Sequence, residues 1–187
     1  MTLQYILLGF LSYKSQTGYE LKQLMDKSTS HFWYAKQSQI YTTLKKMEKE
    51  GWIASRIEVQ KGRPDRVVYK ITKSGLKALE GWVSNPIREL DLHKNTLLVK
   101  LFFSARAGRE AVLTQLRLLR NLHQRKLQLY KTQTKKVIQE FVARRPELKK
   151  DALLWEATRR FGELHEEMAL RWLDETIARV EKNFRFM

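Results

Sequence analysis

Apolar positions recur at helical spacing through the first fifty residues. Leu3, Ile6, Leu7, Phe10 and Leu11 fall on one broad side of a helix over 3–12. Residues 13–16 read as a polar turn. Thr17-Gly18-Tyr19-Glu20 has the form of a capping box, with Thr17 as N-cap and Glu20 reaching back. It opens a second helix that turns Leu21, Leu24 and Met25 inward and ends near Ser28. An aromatic connector carries Phe32, Trp33 and Tyr34. The stretch 35–53, AKQSQIYTTLKKMEKEGWI, then predicts a third helix with Ile40, Leu44 and Met47 on its buried face and Gly51 closing it.

After Gly51 the period changes from 3.6 to 2. Ile53, Ser55, Ile57 and Val59 alternate with Ala54, Arg56 and Glu58; Val67, Tyr69 and Ile71 alternate with Arg66, Val68 and Lys70. Gln60-Lys61-Gly62-Arg63-Pro64-Asp65 between them is a turn by composition. The pair predicts a β-hairpin with a basic tip. A fourth helix follows, capped by Thr72, with Leu76, Leu79, Trp82 and Val83 at core spacing and Pro86 beyond its end.

Two helices followed by a hairpin define a winged helix-turn-helix candidate, with the third helix as reader. Its connector is longer than the usual three or four residues or so. On the face of the reader opposite Ile40 and Leu44 stand Ser38, Thr42, Lys45 and Lys49, flanked by Gln39, Tyr41 and Lys46. Amide, hydroxyl and aromatic groups near the helix start suit base edges, and lysines further along suit phosphates. Tyr19 and Lys36 join this candidate DNA-binding set, with Lys61, Arg63 and Arg66 of the hairpin, which would reach phosphates or a minor groove. The bland alternative is a solvated lysine face and a solvated hairpin tip.

The remainder reads as helices. TLLVKLFF lies in one over 96–105, Gly108 breaks it, a long one runs over 109–144, and Pro146 stops that. A last helix over 150–183 places Leu154, Phe161, Leu164, Met168, Trp172, Ile177, Val180 and Phe184 on a stripe. Between Ala111 and Gln139 the long helix has seven basic residues and no acidic one, whereas residues 151–187 carry a net charge of −2. That complementarity predicts antiparallel packing of the two. The long helix is apolar on more than one side, a pattern a second subunit can cover. The expected fold is mainly α (α+β): an N-terminal winged-helix domain over 1–85 and a C-terminal all-helical dimerisation domain over 86–187.

Composition narrows the function. The net charge of +16, with pI near 10.1, favours polyanionic partners, nucleic acid first and an anionic membrane surface second. Residues 86–150 carry +11 against +7 for residues 1–85, so charge alone does not single out the reading head. The absence of cysteine excludes disulfides and thiolate metal sites. No apolar run reaches the length of about 18 that a membrane span needs, and MTLQYILLGFLS lacks a signal peptide's basic leader. These features suit a cytoplasmic protein. His31, His93, His123 and His165 are scattered, and no P-loop, G-x-S-x-G or zinc-protease helix occurs. Neither catalysis, a cofactor nor a metal site is expected.

Residues 1–85 resemble the PadR family of bacterial transcriptional regulators. The resemblance rests on YILLGFLS, TGYEL, FWYAKQSQIYTTLKKMEKEGWI and VYKITKSGLKALEGWV, in that order and spacing. One departure is Thr42, where the family often has proline after the tyrosine of the reading helix. The C-terminal motifs TLLVKLFF and RWLDETI are similar to the longer-tailed, phenolic-acid-repressor-like branch. The resemblance implies a homodimer joined through the C-terminal part and a repressor bound to an inverted repeat. It also implies release by a small aromatic, phenolic-acid-like effector. The candidate effector-binding set is His123, Tyr130, Trp155, His165 and Trp172, which as plain bundle core would bind nothing. The competing function is a nonspecific, nucleoid-type DNA-coating protein, which basic charge alone would allow.

Overall fold

The computed structural model describes residues 2–29, 32–60, 62, 65–89 and 95–183. The chain forms two compact units, Met1–Asp91 and Leu92–Met187. In the first, the order is α1 (Thr2–Tyr13), β1 (Gln16–Thr17), α2 (Gly18–Ser28), α3 (Gln37–Lys49), β2 (Ile53–Glu58), β3 (Arg66–Ile71) and α4 (Lys73–Ser84). The core joins Leu7, Leu8 and Leu11 of α1, Leu21 and Met25 of α2, and Ile40, Leu44 and Met47 of α3, with Ile53 and Tyr69 from the sheet. The capping box at Thr17 and Glu20 is present.

Three local expectations change. Gln16 and Thr17, expected at the end of a turn and in a cap, form β1, and the sheet order is β1-β3-β2. Gln16 pairs with Tyr69 and Thr17 with Val68, both antiparallel. Two residues are too short to show a period of two. This added strand covers Val68, which the hairpin pattern placed opposite to Tyr69, and both are buried. The outer hairpin projects past the core: Ile57 and Val59 are exposed despite their alternation. On α1 the buried face is centred on Leu7, Leu8 and Leu11 and includes Gln4.

The α4 face is also rotated from the expected one. Leu76 and Val83 point outward, while Gly75 is buried and Ala78 and Leu79 pack on the core. The cause is backbone contact. A Cβ on Gly75 would lie 2.0 Å from the Trp52 carbonyl oxygen. The same oxygen accepts the Thr72 N–H at 3.0 Å, and the Thr72 and Ser74 hydroxyls each donate to the Gly51 carbonyl at 2.7 Å. Only glycine lets α4 start this close to the turn after α3. Tyr5 of α1 stacks on Trp82, with ring centres 4.7 Å apart and planes at 7°.

In the second unit, Asn95 caps α5 (Thr96–Phe102) through bonds from the Leu97 and Leu98 N–H groups. A 3-10 turn, Ser104–Arg106, leads to α6 (Arg109–Leu129). The single long helix expected over 109–144 is interrupted by a π-helical turn, Tyr130–Thr134, before α7 (Lys135–Arg144). A 3-10 turn, Pro146–Leu148, then precedes α8 (Lys149–Asn183). Antiparallel packing of α6 on α8 is as expected: Arg117 pairs with Glu181 at 2.6 Å, Arg120 with Asp174, and Lys126 with Glu166 at 3.0 Å.

The face that α8 turns to α6 is not the expected stripe. It carries Arg159, Gly162, Glu163, Glu166, Leu170 and Leu173. Leu154, Phe161, Leu164 and Met168 point away and are exposed, Phe161 by 69%. Trp172, Ile177 and Val180 do pack inward, on Val112, Leu116 and Leu173; Phe184 lies outside the described residues. Ion pairing of Glu166 with the basic α6 turns this part of α8 charged side inward, and the earlier part of the apolar stripe, Leu154 to Met168, is left over.

Gly75→Ala is expected to destabilise the first unit by about 1–3 kcal/mol, the usual range for overpacking. Gly81→Ala, whose Cβ would meet nothing within 4 Å, is the control and should cost no stability. Urea unfolding followed by tryptophan fluorescence measures both. Equal midpoints for the two variants would contradict the close contact.

Candidate nucleic-acid interface

The third helix is held at both ends by its own sequence. At its start the Gln39 side-chain oxygen accepts the Lys36 N–H at 2.8 Å. At its end Gly51, with φ of 72°, completes a Schellman turn: the Trp52 N–H reaches the Met47 carbonyl at 2.9 Å and the Gly51 N–H that of Glu48 at 3.0 Å. Ile40, Leu44 and Met47 are fully buried, which fixes the rotation of the helix about its axis. Ser38, Gln39, Tyr41, Thr42, Lys45, Lys46 and Lys49 are then exposed together, with Lys36 just before them.

Several of these side chains already have partners. Gln39 spends its carbonyl oxygen on the helix start, so its amide N–H₂ group is what remains for a base. Lys46 lies 3.7 Å from Glu50. Among the described residues Lys45 and Lys49 form no ion pair, which leaves them as open cations. Tyr41 is pressed against the start of α2: a Cβ on Gly18 would come within 2.6 Å of its ring. Its ring therefore spaces α2 from α3 while its edge stays exposed. Tyr19 is exposed on α2, and its hydroxyl accepts a bond from Gln23 at 2.9 Å.

On the hairpin, Arg66 is exposed but paired with Glu58 at 2.8 Å. Arg56, which the sequence reading passed over, pairs with the same carboxylate at 2.7 Å. These bonds, Arg66 first and then Arg56, hold the Glu58 carboxyl below its ordinary range. The alternation of β2 had placed Arg56 on its polar side, a signal that could have found it. Lys61 and Arg63 lie outside the described residues.

The effector candidates are spread along the helical unit. His123 bonds Glu166, whose carboxylate is 1% exposed, and the His165 ring lies 3.6 Å from it. Burial alone would raise the Glu166 carboxyl, but hydrogen bonds from His123 and Lys126 outweigh it and the pKa is lowered. Tyr130, buried on Gly162 beside this group, is pushed up to about 12 by desolvation and by the Glu166 charge. Its carbonyl accepts from Arg159, itself buried and bonded to Glu163 at 3.0 Å. His123, Tyr130 and His165 thus gather around Glu166. Trp155 packs edge-on against Phe141, with ring centres 5.6 Å apart. Trp172 lies in the apolar cluster with Leu116, about 25 Å from Trp155 along the same helix. Among the described residues no group of acidic or histidine side chains is arranged to hold a metal ion, and no helix is long and apolar enough to cross a membrane.

A three-helix head with a β-hairpin wing, presenting one polar and cationic helix face, defines the winged-helix class of DNA-binding regulators. The comparisons give the family. Residues 7–81 match the Transcriptional regulator PadR-like family, and residues 93–181 match the Virulence activator alpha C-term family. A probable transcriptional regulator of Mycobacterium tuberculosis is 32% identical over 94% of this chain and 95% of its own. The negative transcriptional regulator PadR of Bacillus subtilis is 33% identical over 58% of this chain and 59% of its own. The crystal structure of that PadR with operator DNA superposes with a TM-score of 0.81 at 23% identity, covering 96% of this chain and 97% of the other. Its structure with p-coumaric acid gives 0.70 at 22%, covering 97% of each. At those identities the superpositions establish the fold. This chain belongs to the PadR family of transcriptional regulators.

The lowered carboxyl groups of Glu156, Glu163, Glu166 and Asp174 favour the folded helical unit only while ionised. Their contribution is complete above the unfolded values of about 4 and is lost as pH falls through the folded ones. The melting temperature is therefore expected to drop on acidification below pH of about 4.5. Glu166→Gln should lower stability at pH of about 7 by roughly 2 kcal/mol, since it leaves the Lys126 ammonium facing a neutral group. It should also flatten the acid limb. Circular dichroism melts across pH check both, and an acid limb identical to that of the unsubstituted protein would contradict the role of Glu166.

Proposed function

We propose that this protein is a sequence-specific repressor that binds an inverted-repeat operator as a homodimer. The observation that carries the reading is the α3 surface, where Ser38, Gln39, Tyr41, Thr42 and Lys45 are exposed together on a helix whose other face is locked in the core. Entering the major groove, Ser38, Thr42 and the Gln39 amide would meet base edges. Lys36, Lys45, Lys46 and Tyr19 would meet phosphates, and the wing with Arg66, Lys61 and Arg63 would follow the adjoining backbone. Two heads would read half-sites about 34 Å apart. The place of action is the nucleoid in the bacterial cytoplasm, and no catalytic step belongs to this function.

The dimer reading is supported by the inverted packing of α8. A helix that faces its own chain with Arg159, Glu163 and Glu166 and faces outward with Leu154, Phe161, Leu164 and Met168 wants a second apolar surface. A second copy of the helical unit supplies it. The expected domain arrangement is the one read from the sequence, a DNA-binding part over 1–85 and a dimerisation and effector part over 86–187. A small aromatic acid is the effector class, since a PadR structure contains p-coumaric acid. His123, Tyr130 and His165 are the residues of the effector set that lie close together, with Trp155 or Trp172 contributing at either end. Binding would release DNA by favouring a dimer whose heads are wrongly spaced.

Footprinting on DNA upstream of the protein's own gene is expected to protect a two-fold symmetric site. Ser38→Ala and Thr42→Ala should each lose roughly 1–3 kcal/mol of discrimination between that site and random duplex. Lys45→Ala should weaken both DNAs alike and reduce the salt slope by about 0.9. Equal affinity of the unsubstituted protein for both DNAs would favour the coating function instead. Sedimentation should give a dimer, and Phe161→Asp with Met168→Asp should give a monomer. p-Coumaric acid should displace the operator; no displacement and no tryptophan quenching would leave the helical unit as a dimerisation module.

A further inference from the structure

Glu58 is the one acidic residue within the two strands of the wing. It stands directly opposite Arg66 in the antiparallel register. Arg66 donates to its Oε2 through Nε at 2.9 Å and pairs with it through Nη2 at 2.8 Å. Arg56, two residues earlier on the same strand, donates to its Oε1 at 2.7 Å. Each carboxylate oxygen is therefore taken by a different guanidinium. Glu58 is half-buried between its partners, while both arginines remain largely open to solvent.

A guanidinium carries five N–H donors, and these bonds use two on Arg66 and one on Arg56. The rest can meet a phosphate without breaking the clamp. The clamp does two things. It cuts the net charge of this end of the ladder from two to one. It also holds two long side chains in fixed directions, so that they fit phosphates only where the duplex presents them at matching positions. A freed arginine accepts any phosphate, and that is the sequence-independent part of DNA affinity.

We propose that Glu58 is a specificity-determining residue that positions Arg56 and Arg66 and restrains binding to random DNA. The inference deepens the DNA-binding reading above and rests on it. Because nonspecific sites vastly outnumber operators, a residue that limits random binding raises the share of protein at its target.

The test uses the full chain with Glu58→Gln. Its control is Glu80→Gln, which removes the same charge from α4. Affinity for a random-sequence duplex and for the footprinted duplex is measured by fluorescence anisotropy over a range of salt. Glu58→Gln should bind random duplex about three- to tenfold more tightly near 0.1 M salt, with a slope steeper by about 0.9 for each arginine released. Its affinity for the footprinted duplex should rise less, so the ratio between the two DNAs falls. Adding Arg56→Gln and Arg66→Gln should abolish the gain. An unchanged ratio, or a Glu58→Gln protein that behaves like Glu80→Gln, overturns the proposal, as does weaker binding to random duplex. A wild-type protein that binds random duplex but protects no site would remove the operator reading and the selectivity role with it. The random-duplex measurements then separate that failure from a failure of the clamp.

Discussion

Burial of Ile40, Leu44 and Met47 is the constraint from which the DNA-binding head follows. They lock α3 against α1 and α2, and of the exposed side chains on the other side of the helix Tyr41 also meets α2, at Gly18. The rotation of the helix is thereby set by apolar packing, and the outward positions Ser38, Thr42, Lys45 and Lys49 are left to carry polar side chains, while Gln39 and Tyr41 also serve the fold. Its ends are tied by backbone geometry: the Gln39 bond to Lys36 and the Schellman turn at Gly51. A helix held this way holds its outer side chains in a fixed frame, an arrangement that would spare ordering entropy on binding. Gly75 extends the same frame by letting α4 begin against the Trp52 carbonyl.

The helical unit is built on the opposite economy. The inward side of α8 carries charges: Arg159 and Glu163 are buried and pair with each other within the helix, and the buried Glu166 pairs with Lys126 of α6. Buried pairs add little net stability, because desolvation offsets their attraction, but a wrong register would strand a charge. The seam therefore specifies how α8 lies on α6 more than it stabilises the bundle. Apolar side chains that would fill a core in a self-sufficient bundle are left outside. Phe102 on α5 is 82% exposed, and Leu154, Phe161 and Met168 are exposed on α8. The π-helical turn at Tyr130 belongs to this seam, since Arg159 reaches its carbonyl.

Strongly basic proteins face a general difficulty in binding one DNA sequence, because phosphate attraction is sequence-blind. Here some cations are tempered by nearby carboxylates: Lys46 by Glu50, Arg56 and Arg66 by Glu58, Arg117 by Glu181 and Lys126 by Glu166. Lys45 and Lys49 on the exposed face of α3 form no such pair among the described residues. The count of 36 lysines and arginines thus overstates the number of cations ready to meet phosphate, whereas the net charge of +16 already subtracts the carboxylates.

Much of the head was legible in the chain. A 3.6-residue period, the Thr17 and Thr72 caps and a switch to period two at Gly51 are local signals, and local signals dictate local structure. The exposed face of α3 followed from the same periodicity, because a helix with one buried side has a determined outer side. The tertiary structure alone decided whatever depends on what lies opposite. β1 is too short to have a pattern and exists because β3 offers it an edge. The rotation of α4 depends on a carbonyl that Gly75 meets only after folding. The wing arginines share Glu58 because of strand register. On α8 the sequence offered two faces, one apolar and one charged, and a periodicity argument chooses the apolar one for the inside. From Leu154 to Met168 the basic α6 beside it reversed that choice, because a buried carboxylate is tolerated where donors from the neighbouring helix reach it, as Lys126 and His123 reach Glu166; Trp172, Ile177 and Val180 kept it.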